Sequence, residues 1–278
     1  MTDFEYMTLK RIINRLTGIE LDSYKQEQMR RRLDSFVQHR AYASNAIFCR
    51  ELDRDPVLLQ ALTNMLTINV TEFFRDRSVF DQLRHVVLPE LLSEKPSLRI
   101  WSAGCSRGCE AYTLAILLDE LDTRNTHSIL ATDVDENALA VALQAGPYPT
   151  SEIKSVPSDY LGRYFRADGG TYHFTNQVRQ RIQFRVQNLL ADTFETGFDL
   201  IACRNVMIYF TPEARRVVTQ KFLDSLRPGG LLLLGSTEAL MPADSQGFEN
   251  AGASLYRKSS TLERVQTPGM RFLEKRGA

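Results

Sequence analysis

One run, LRIWSAGCSRGCEAYTLAILLDEL (98–121), constrains the fold more than any other part of the chain. A short apolar segment enters a turn bearing Gly104 and Gly108 and leaves as a stretch with apolar residues at helical spacing. A strand that passes through a tight glycine turn into a helix is the opening unit of a parallel α/β sheet. The turn admits two chemical readings. Gly104-Cys105-Ser106-Arg107-Gly108 fits G-x-S-x-G, the elbow that presents a nucleophilic serine. It also fits a turn that lets a nucleotide-like cofactor approach a helix N-terminus.

A hydrolase needs a histidine base and a carboxylate placed after the serine. The histidines are His39, His85, His127 and His173, and none follows the last strand-like runs, where that base belongs. The elbow also sits on the first strand of the sheet, too early for a hydrolase. Ser106 is therefore not the nucleophile. In the cofactor reading, Gly104 and Gly108 let the backbone come close to a ligand and the small Ser106 keeps the path open. Asp133 ends the next apolar run, 25 residues after Gly108, where a carboxylate can accept from ribose hydroxyls. Asp135 is a rival, but it suits the cap of the helix ENALAVALQAG. The spacing departs from the G-x-G-x-x-G of dinucleotide binders, and no proton-transfer residue for a dehydrogenase is apparent. Glu110, at the helix start, would repel a pyrophosphate but could hold an amino group or a sulfonium-bearing cation. It is equally a dipole-favoured first-turn residue, so the pattern alone leans only modestly toward an S-adenosylmethionine enzyme.

Residues 1 to about 93 read as helices only. Phe4, Met7, Leu9, Ile12, Ile13 and Leu16 lie near a 3.6-residue period. Asp22 or Ser23 can cap a second helix, with Met29, Leu33, Phe36 and Val37 on one stripe. Pro56 suits the first turn of a third, and a fourth from about Ser78 turns Val79, Leu83, Val86 and Val87 to a core. From Pro96 onward the strands LRIWSA, SILATD, RIQFRVQNL, FDLIACRN and GGLLLLGS alternate with helices, one of them from about Pro212 to Leu226. ASLYRK reads as a last edge strand. The rhythm breaks between Gly146 and Arg181, where DGGTYHFTNQVRQ suggests a small antiparallel insertion. The expected fold is α/β: a helical N-terminal domain, then a doubly wound Rossmann-like domain with a small antiparallel β-subdomain. The expected domains are 1–84, 85–258 with the insertion at 146–181, and a flexible tail at 259–278.

The formal net charge is zero, which removes any long-range pull toward nucleic acid. The first residues lack a signal peptide's apolar segment, and no apolar run approaches the roughly 18 residues of a membrane helix. A cytoplasmic protein is expected. Cys49, Cys105, Cys109 and Cys203 form no C-x-x-C pair, so no metal site is expected.

Four stretches resemble the chemotaxis receptor methyltransferases (CheR): TINVTEFFRD (67–76), IWSAGCSRGCEAYTLA (100–115), ILATDVDENAL (129–139) and FDLIACRNVMIYF (198–210). The resemblance spans roughly residues 4–258. It implies methyl transfer from S-adenosylmethionine to glutamate side chains on the cytoplasmic helices of chemoreceptors. Carried over position by position, the cofactor contacts would be Asn69, Thr71, Arg75, Glu110, Asp133, Asn188, Leu189, Asn205 and Val206, to which the glycine turn adds Gly104. Arg75 and Tyr209 are the catalytic candidates, placed to orient the acceptor carboxylate. Lys25, Arg30, Arg31, Arg32 and Arg40 would form the docking face for acidic receptor helices. The sequence departs from many relatives at Cys109, where a second glutamate is common, and at Arg107, where a small polar residue is common. The loop in RADGGTYHF looks shorter than in relatives that grip a receptor C-terminal pentapeptide, so no dependence on that tether is expected, and nothing demands more than a monomer. A methyltransferase for another carboxylate and a cofactor-sensing signalling adaptor are the alternatives.

Overall fold

The computed structural model describes residues 1–40, 42, 44–122, 127–175 and 178–260. From residue 261 on, the expected flexible tail lies outside the described residues.

The helical domain comprises α1 (Asp3–Thr17), α2 (Gln26–Gln38), α3 (Asn45–Leu52) and α4 (Pro56–Thr67). Thr2 caps α1 by accepting from the Glu5 amide, while the Glu5 carboxylate accepts from the Thr2 amide. Tyr6, Leu9 and Ile13 form its buried stripe, whereas Phe4 is 81% exposed and Met7 45%. Phe4 and Met7, though near the helical period read from the sequence, fall off this stripe: Phe4 lies about 180° round the helix from Ile13 at 3.6 residues per turn. The stripe Met29, Leu33, Phe36 and Val37 is buried. Asp22 and Ser23 do not cap α2; they lie in a tight turn, and Asp22 pairs with Lys10. The segment before α2 instead joins the sheet domain. Tyr24 bridges to Phe210, Lys25 N donates to the Tyr209 carbonyl (2.9 Å), and Thr211 N donates to the Ser23 carbonyl (2.9 Å). The short helix α3, capped by Ser44, carries no long apolar period, and buried Phe48 and Leu52 hold it. α4 starts with Asp55 as cap and Pro56 in its first turn, as its sequence directs.

A further helix runs through α5 (Arg77–Gln82), a wide turn at Leu83–Val87, and α6 (Leu88–Glu94). Val79 packs against the core and Leu83 and Val87 are buried, but Val86 is 57% exposed. The wide i→i+5 turn brings Val87 under Leu83 and rotates Val86 outward, correcting that expectation.

The sheet domain follows with β1 (Arg99–Ala103), α7 (Cys109–Leu121), β2 (Ser128–Asp133) and α8 (Glu136–Gln144). The insertion holds β3 (Tyr148–Pro149), α9 (Thr150–Ile153), α10 (Ser158–Tyr164), β4 (Phe165–Asp168) and β5 (Thr171–Phe174). It forms the expected small antiparallel sheet, in the order β3-β5-β4. The main sheet continues with β6 (Ile182–Val186), β7 (Phe198–Cys203), α11 (Pro212–Ser225), β8 (Leu226–Leu234), β9 (Phe248–Gly252) and β10 (Leu255–Lys258). Its order is β6-β2-β1-β7-β8-β10-β9, parallel from β6 to β8. The ASLYRK strand is therefore interior: β10 is hydrogen-bonded to both β8 and β9, and β9 takes the edge. Glu249, Asn250 and Gly252 have little intrinsic strand preference, and pairing with β10 overrides it. α7 is buried nearly all round against β2, β6 and the end of the insertion, as its apolar composition requires.

Candidate cofactor cleft

Chain order reverses about β1: the path moves from β1 to β2 and β6 on one side, then returns to β7 on the other. Open α/β sheets bind ligands at such a switch point, outside the C-terminal strand ends. A cleft lies there, lined by Gly104, Cys105, Ser106 and Glu110 after β1, Asp133 at the end of β2, Gln187, Asn188 and Leu189 after β6, and Arg204, Asn205 and Val206 after β7. The interdomain segment supplies Asn69, Val70, Thr71 and Arg75, and the helical domain supplies Ile19, Leu21, Tyr24, Met29 and Leu66. All ten cofactor candidates and Tyr209 line this one cleft.

The turn after β1 is built by backbone geometry. Gly104 and Cys105 both donate to the Thr132 carbonyl, at 2.8 and 2.9 Å. Gly104 has φ +80°, and a Cβ there would sit 2.5 Å from Val206 Cγ2. Ser106 takes the left-handed region as well, at φ 48°. Its amide donates to Asp133 Oδ2 (2.7 Å) and its hydroxyl to Asn69 Oδ1 (2.8 Å). Asp133 Oδ1 accepts from the Asp135 amide (2.9 Å). Burial pushes the Asp133 carboxyl up to about 6, against these backbone donors. Asp135 does cap α8, accepting from the Asn137 and Ala138 amides.

Glu110 accepts from the Ser102 hydroxyl (2.7 Å) and faces Arg204 (3.5 Å); burial nonetheless lifts its carboxyl above the usual range. Arg204 also reaches the Arg75 carbonyl (3.0 Å) and Asp76 (2.8 Å), and stacks over Phe80. Its place within FDLIACRNVMIYF was the only signal for it. Glu238 had none: its Oε2 accepts from the Asn205 (2.6 Å) and Gly235 (2.8 Å) amides and its Oε1 from Ile208 (3.2 Å). It thereby fixes the loop that carries Asn205, itself at φ 59°. Asn188 Oδ1 accepts from the Leu190 amide (3.0 Å), so turn chemistry shapes that loop. Arg75 donates to the Val70 carbonyl (2.8 Å). Tyr24 was not anticipated either; burial lifts its phenol to about 12.

The two departures noted in the sequence meet one residue. Arg107 pairs with Glu152 (2.8 Å), and the Cys109 thiol lies 3.8 Å from the other Glu152 oxygen, so α9 is tied to the glycine turn. None of Lys25, Arg30, Arg31, Arg32 and Arg40 lines the cleft. Arg30 pairs with Asp3 (2.6 Å), Arg32 donates to the Met65 carbonyl, and Arg40 lies over the Phe36 ring. Lys25, Arg31 and Arg40 are the exposed members of that set. Among the described residues, no group of three His, Cys, Asp or Glu side chains could hold a metal ion, and no helix is long and apolar enough to cross a membrane.

A parallel sheet with a glycine turn after β1, an acidic residue ending β2 and a cleft at the switch point defines a Rossmann-like, adenosine-cofactor type of protein. Comparison with known families narrows this. A family model described as "CheR methyltransferase, SAM binding domain" matches residues 69–257, and one described as "CheR methyltransferase, all-alpha domain" matches residues 5–67. The chain belongs to the CheR methyltransferase family. It is 40% identical over 242 residues to a "Chemotaxis protein methyltransferase" of Listeria innocua, covering 86% of this chain and 92% of that one. It is 34% identical over 269 residues to "Chemotaxis protein methyltransferase 1" of Pseudomonas aeruginosa, covering 92% and 97%. A solved TehB-like SAM-dependent methyltransferase from Corynebacterium glutamicum shares 16% identity over 66% of this chain and 95% of that one, with a TM-score of 0.36, too distant to add to the assignment.

The cofactor is S-adenosylmethionine, and the cleft fits it. The Gly104 cradle would be filled by any Cβ, and Gln187 Oε1 is buried there without a hydrogen-bond partner in the protein. Carboxylates at Asp133 and Glu110 suit a ligand with hydroxyl donors and positive charge.

Proposed function

We propose that the protein transfers the methyl group of S-adenosylmethionine to glutamate carboxylates on the cytoplasmic helices of chemoreceptors, leaving methyl esters, and that it works in the cytoplasm. The names of the relatives support the chemotactic setting. The observation that carries the choice of acceptor is the chemistry of the cleft wall: Arg75 lines it, and none of the four histidines and no lysine does. A glutamate carboxylate, with an ordinary pKa of about 4.3, is already ionised at neutral pH and needs no general base, only a cation to place it.

The bound cofactor would supply a methyl carbon made electrophilic by a sulfonium. Asp133 would hold the ribose hydroxyls, and Glu110, kept in place by Ser102 and Arg204, the cationic amino-acid end. Asn69, Thr71, Asn188, Leu189, Asn205 and Val206 complete the cofactor contacts in this reading. Arg75 and Tyr209 orient the acceptor oxygen, and Tyr24, Leu21, Leu66 and Leu189 exclude water. Orientation and dehydration of this kind can contribute up to about 7–11 kcal/mol in favourable systems. The exposed cations Lys25, Arg31 and Arg40 dock an acidic helix, with Arg30 and Arg32 bracing the face. Binding of a receptor C-terminal pentapeptide is not required, and measurable affinity for one would overturn that point.

The test is to incubate the protein with methyl-labelled S-adenosylmethionine and membranes from a strain without its own methyltransferase, then treat with mild base. Base-labile label on receptor-sized bands, released as methanol, is the expected result. Base-stable label, or none from a protein that binds cofactor, would sink the carboxylate reading. Arg75→Ala should lower turnover about a hundredfold at saturating receptor. Near-normal turnover would remove Arg75 from the acceptor site.

A further inference from the structure

Asp135 does more than start α8. Its two oxygens have separate tasks. Oδ1 caps the helix by accepting from Asn137 N (2.9 Å) and Ala138 N (3.1 Å). Oδ2 turns the other way, accepting from the Thr67 hydroxyl (2.8 Å) at the end of α4 and from Asn69 Nδ2 (2.6 Å) in the interdomain segment. Asn69 Nδ2 also reaches the Thr67 hydroxyl (3.1 Å), and Asn69 Oδ1 accepts from the Ser106 hydroxyl. The Asn69 amide is thus committed at both ends within the protein. Ser106 in turn donates its amide to Asp133, and Asp133 accepts the Asp135 amide, which closes a ring of contacts. The ring crosses from the helical domain to the cofactor turn. Asp135 is fully buried and is not among the residues lining the cleft.

We propose that Asp135 is a positioning residue: its Oδ2 clamps the interdomain segment onto the glycine turn and so sets the affinity of the cleft for S-adenosylmethionine without touching it. The inference rests on the cofactor site and is independent of which acceptor is methylated. It also recasts Asn69, whose side chain bridges Asp135 to Ser106 and contributes to cofactor binding by shaping the turn. Four donors converge on this buried side chain, and leaving any of them unpaired is costly.

The two tasks can be separated by substitution. Asp135→Asn keeps a carbonyl oxygen for the α8 cap, since asparagine caps as well as aspartate. It turns an NH2 group toward Asn69 Nδ2, so that donor faces donor. S-adenosylhomocysteine binding to the full chain, followed by calorimetry, should weaken about tenfold or more. Hydrogen exchange without ligand should accelerate in residues 68–72 and 105–107 while α8 keeps its protection. The exchange of partners in Asn69→Asp with Asp135→Asn restores a donor–acceptor pair and should recover most of the affinity. Wild-type-like affinity of Asp135→Asn, exchange that accelerates only within α8, or failure of the double substitution to recover any affinity would each overturn the clamp. If Asp135→Asn does not fold, Thr67→Val removes a single donor and should weaken binding about threefold with the same local exchange. Unchanged affinity in that variant would overturn the clamp too. A wild-type protein that binds no S-adenosylhomocysteine would instead overturn the cofactor reading beneath it.

Discussion

The two walls of the cleft are made differently. On the sheet side, Gly104, Ser106, Asp133 and Asn205 are held by backbone amides and carboxylates in fixed directions, with three of those residues in the left-handed region. On the helical side, Ile19, Leu21, Met29 and Leu66 are packed side chains from a separate apolar cluster. Polar walls fail when one partner is lost, because a buried group is left unpaired. Apolar walls tolerate exchange as long as volume and patterning persist. The sheet side can therefore read the polar outline of a ligand, while the helical side closes over it and keeps water out.

The difference can be broken most severely at the glycine turn. Gly104→Ala places a methyl 2.5 Å from Val206 Cγ2 on a backbone at φ +80°. Left-handed backbone costs about 1–2 kcal/mol for a residue with a Cβ, and overpacking typically about 1–3 kcal/mol more. Cofactor affinity should fall about a hundredfold or more by calorimetry, and affinity within threefold would show that the loop after β7 moves freely. Next in size is Glu238→Gln. It removes the charge that accepts three amides, so the melting temperature should drop by the equivalent of about 2 kcal/mol, with cofactor binding weakened about tenfold. A stable variant with intact binding would show that the loop after β7 holds its shape alone.

A smaller effect should follow from pH. With its carboxyl raised to about 6 by burial, Asp133 gains a proton as the pH falls through that value and loses acceptor capacity. Affinity should decline several-fold between pH 7.5 and 5.5, Glu110 acting in the same direction because burial raises it too. Stability without ligand moves the opposite way at this site. The folded protein takes up a proton near pH 6 that the unfolded chain, at an ordinary 3.8, takes up lower, so acidification over that window favours the fold at Asp133. A flat affinity profile would show that Asp133 does not titrate there. The smallest effect on cofactor and fold belongs to the helical surface: Arg31→Glu should raise the KM for receptor a few-fold, more at low salt, and leave cofactor affinity unchanged. No change in that KM would remove α2 as the docking face.

How much of this was legible in the sequence follows the same division. Strands β1, β2, β6, β7 and β8, the glycine turn and the Asp135 cap are local patterns, visible because a few adjacent residues dictate them. The exposed Phe4, Met7 and Val86 escaped because periodicity gives a helix but does not choose among near-equal apolar faces. The edge strand β9 escaped because its residues disfavour strands until β10 pairs with them. Glu238, the Tyr24 wall and the Asp135–Asn69 contact join residues far apart in the chain, and no local spacing announces them. Arg204 sat inside a recognised motif, yet its partners at Asp76 and Glu110 become evident only once the sheet is assembled.

The junction at Tyr24–Phe210, with Lys25 donating to Tyr209 and Thr211 to Ser23, is held by main-chain hydrogen bonds, with the Tyr24 and Phe210 rings packed edge to face across it. Any residue except proline supplies the same N–H, and every residue supplies the same C=O. Outside Tyr24, Tyr209 and Phe210, whose side chains line the cleft, the seam can exchange side chains and still keep a common frame. The exposed face of the helical half is free to diversify while the cofactor turn on the other half stays in alignment.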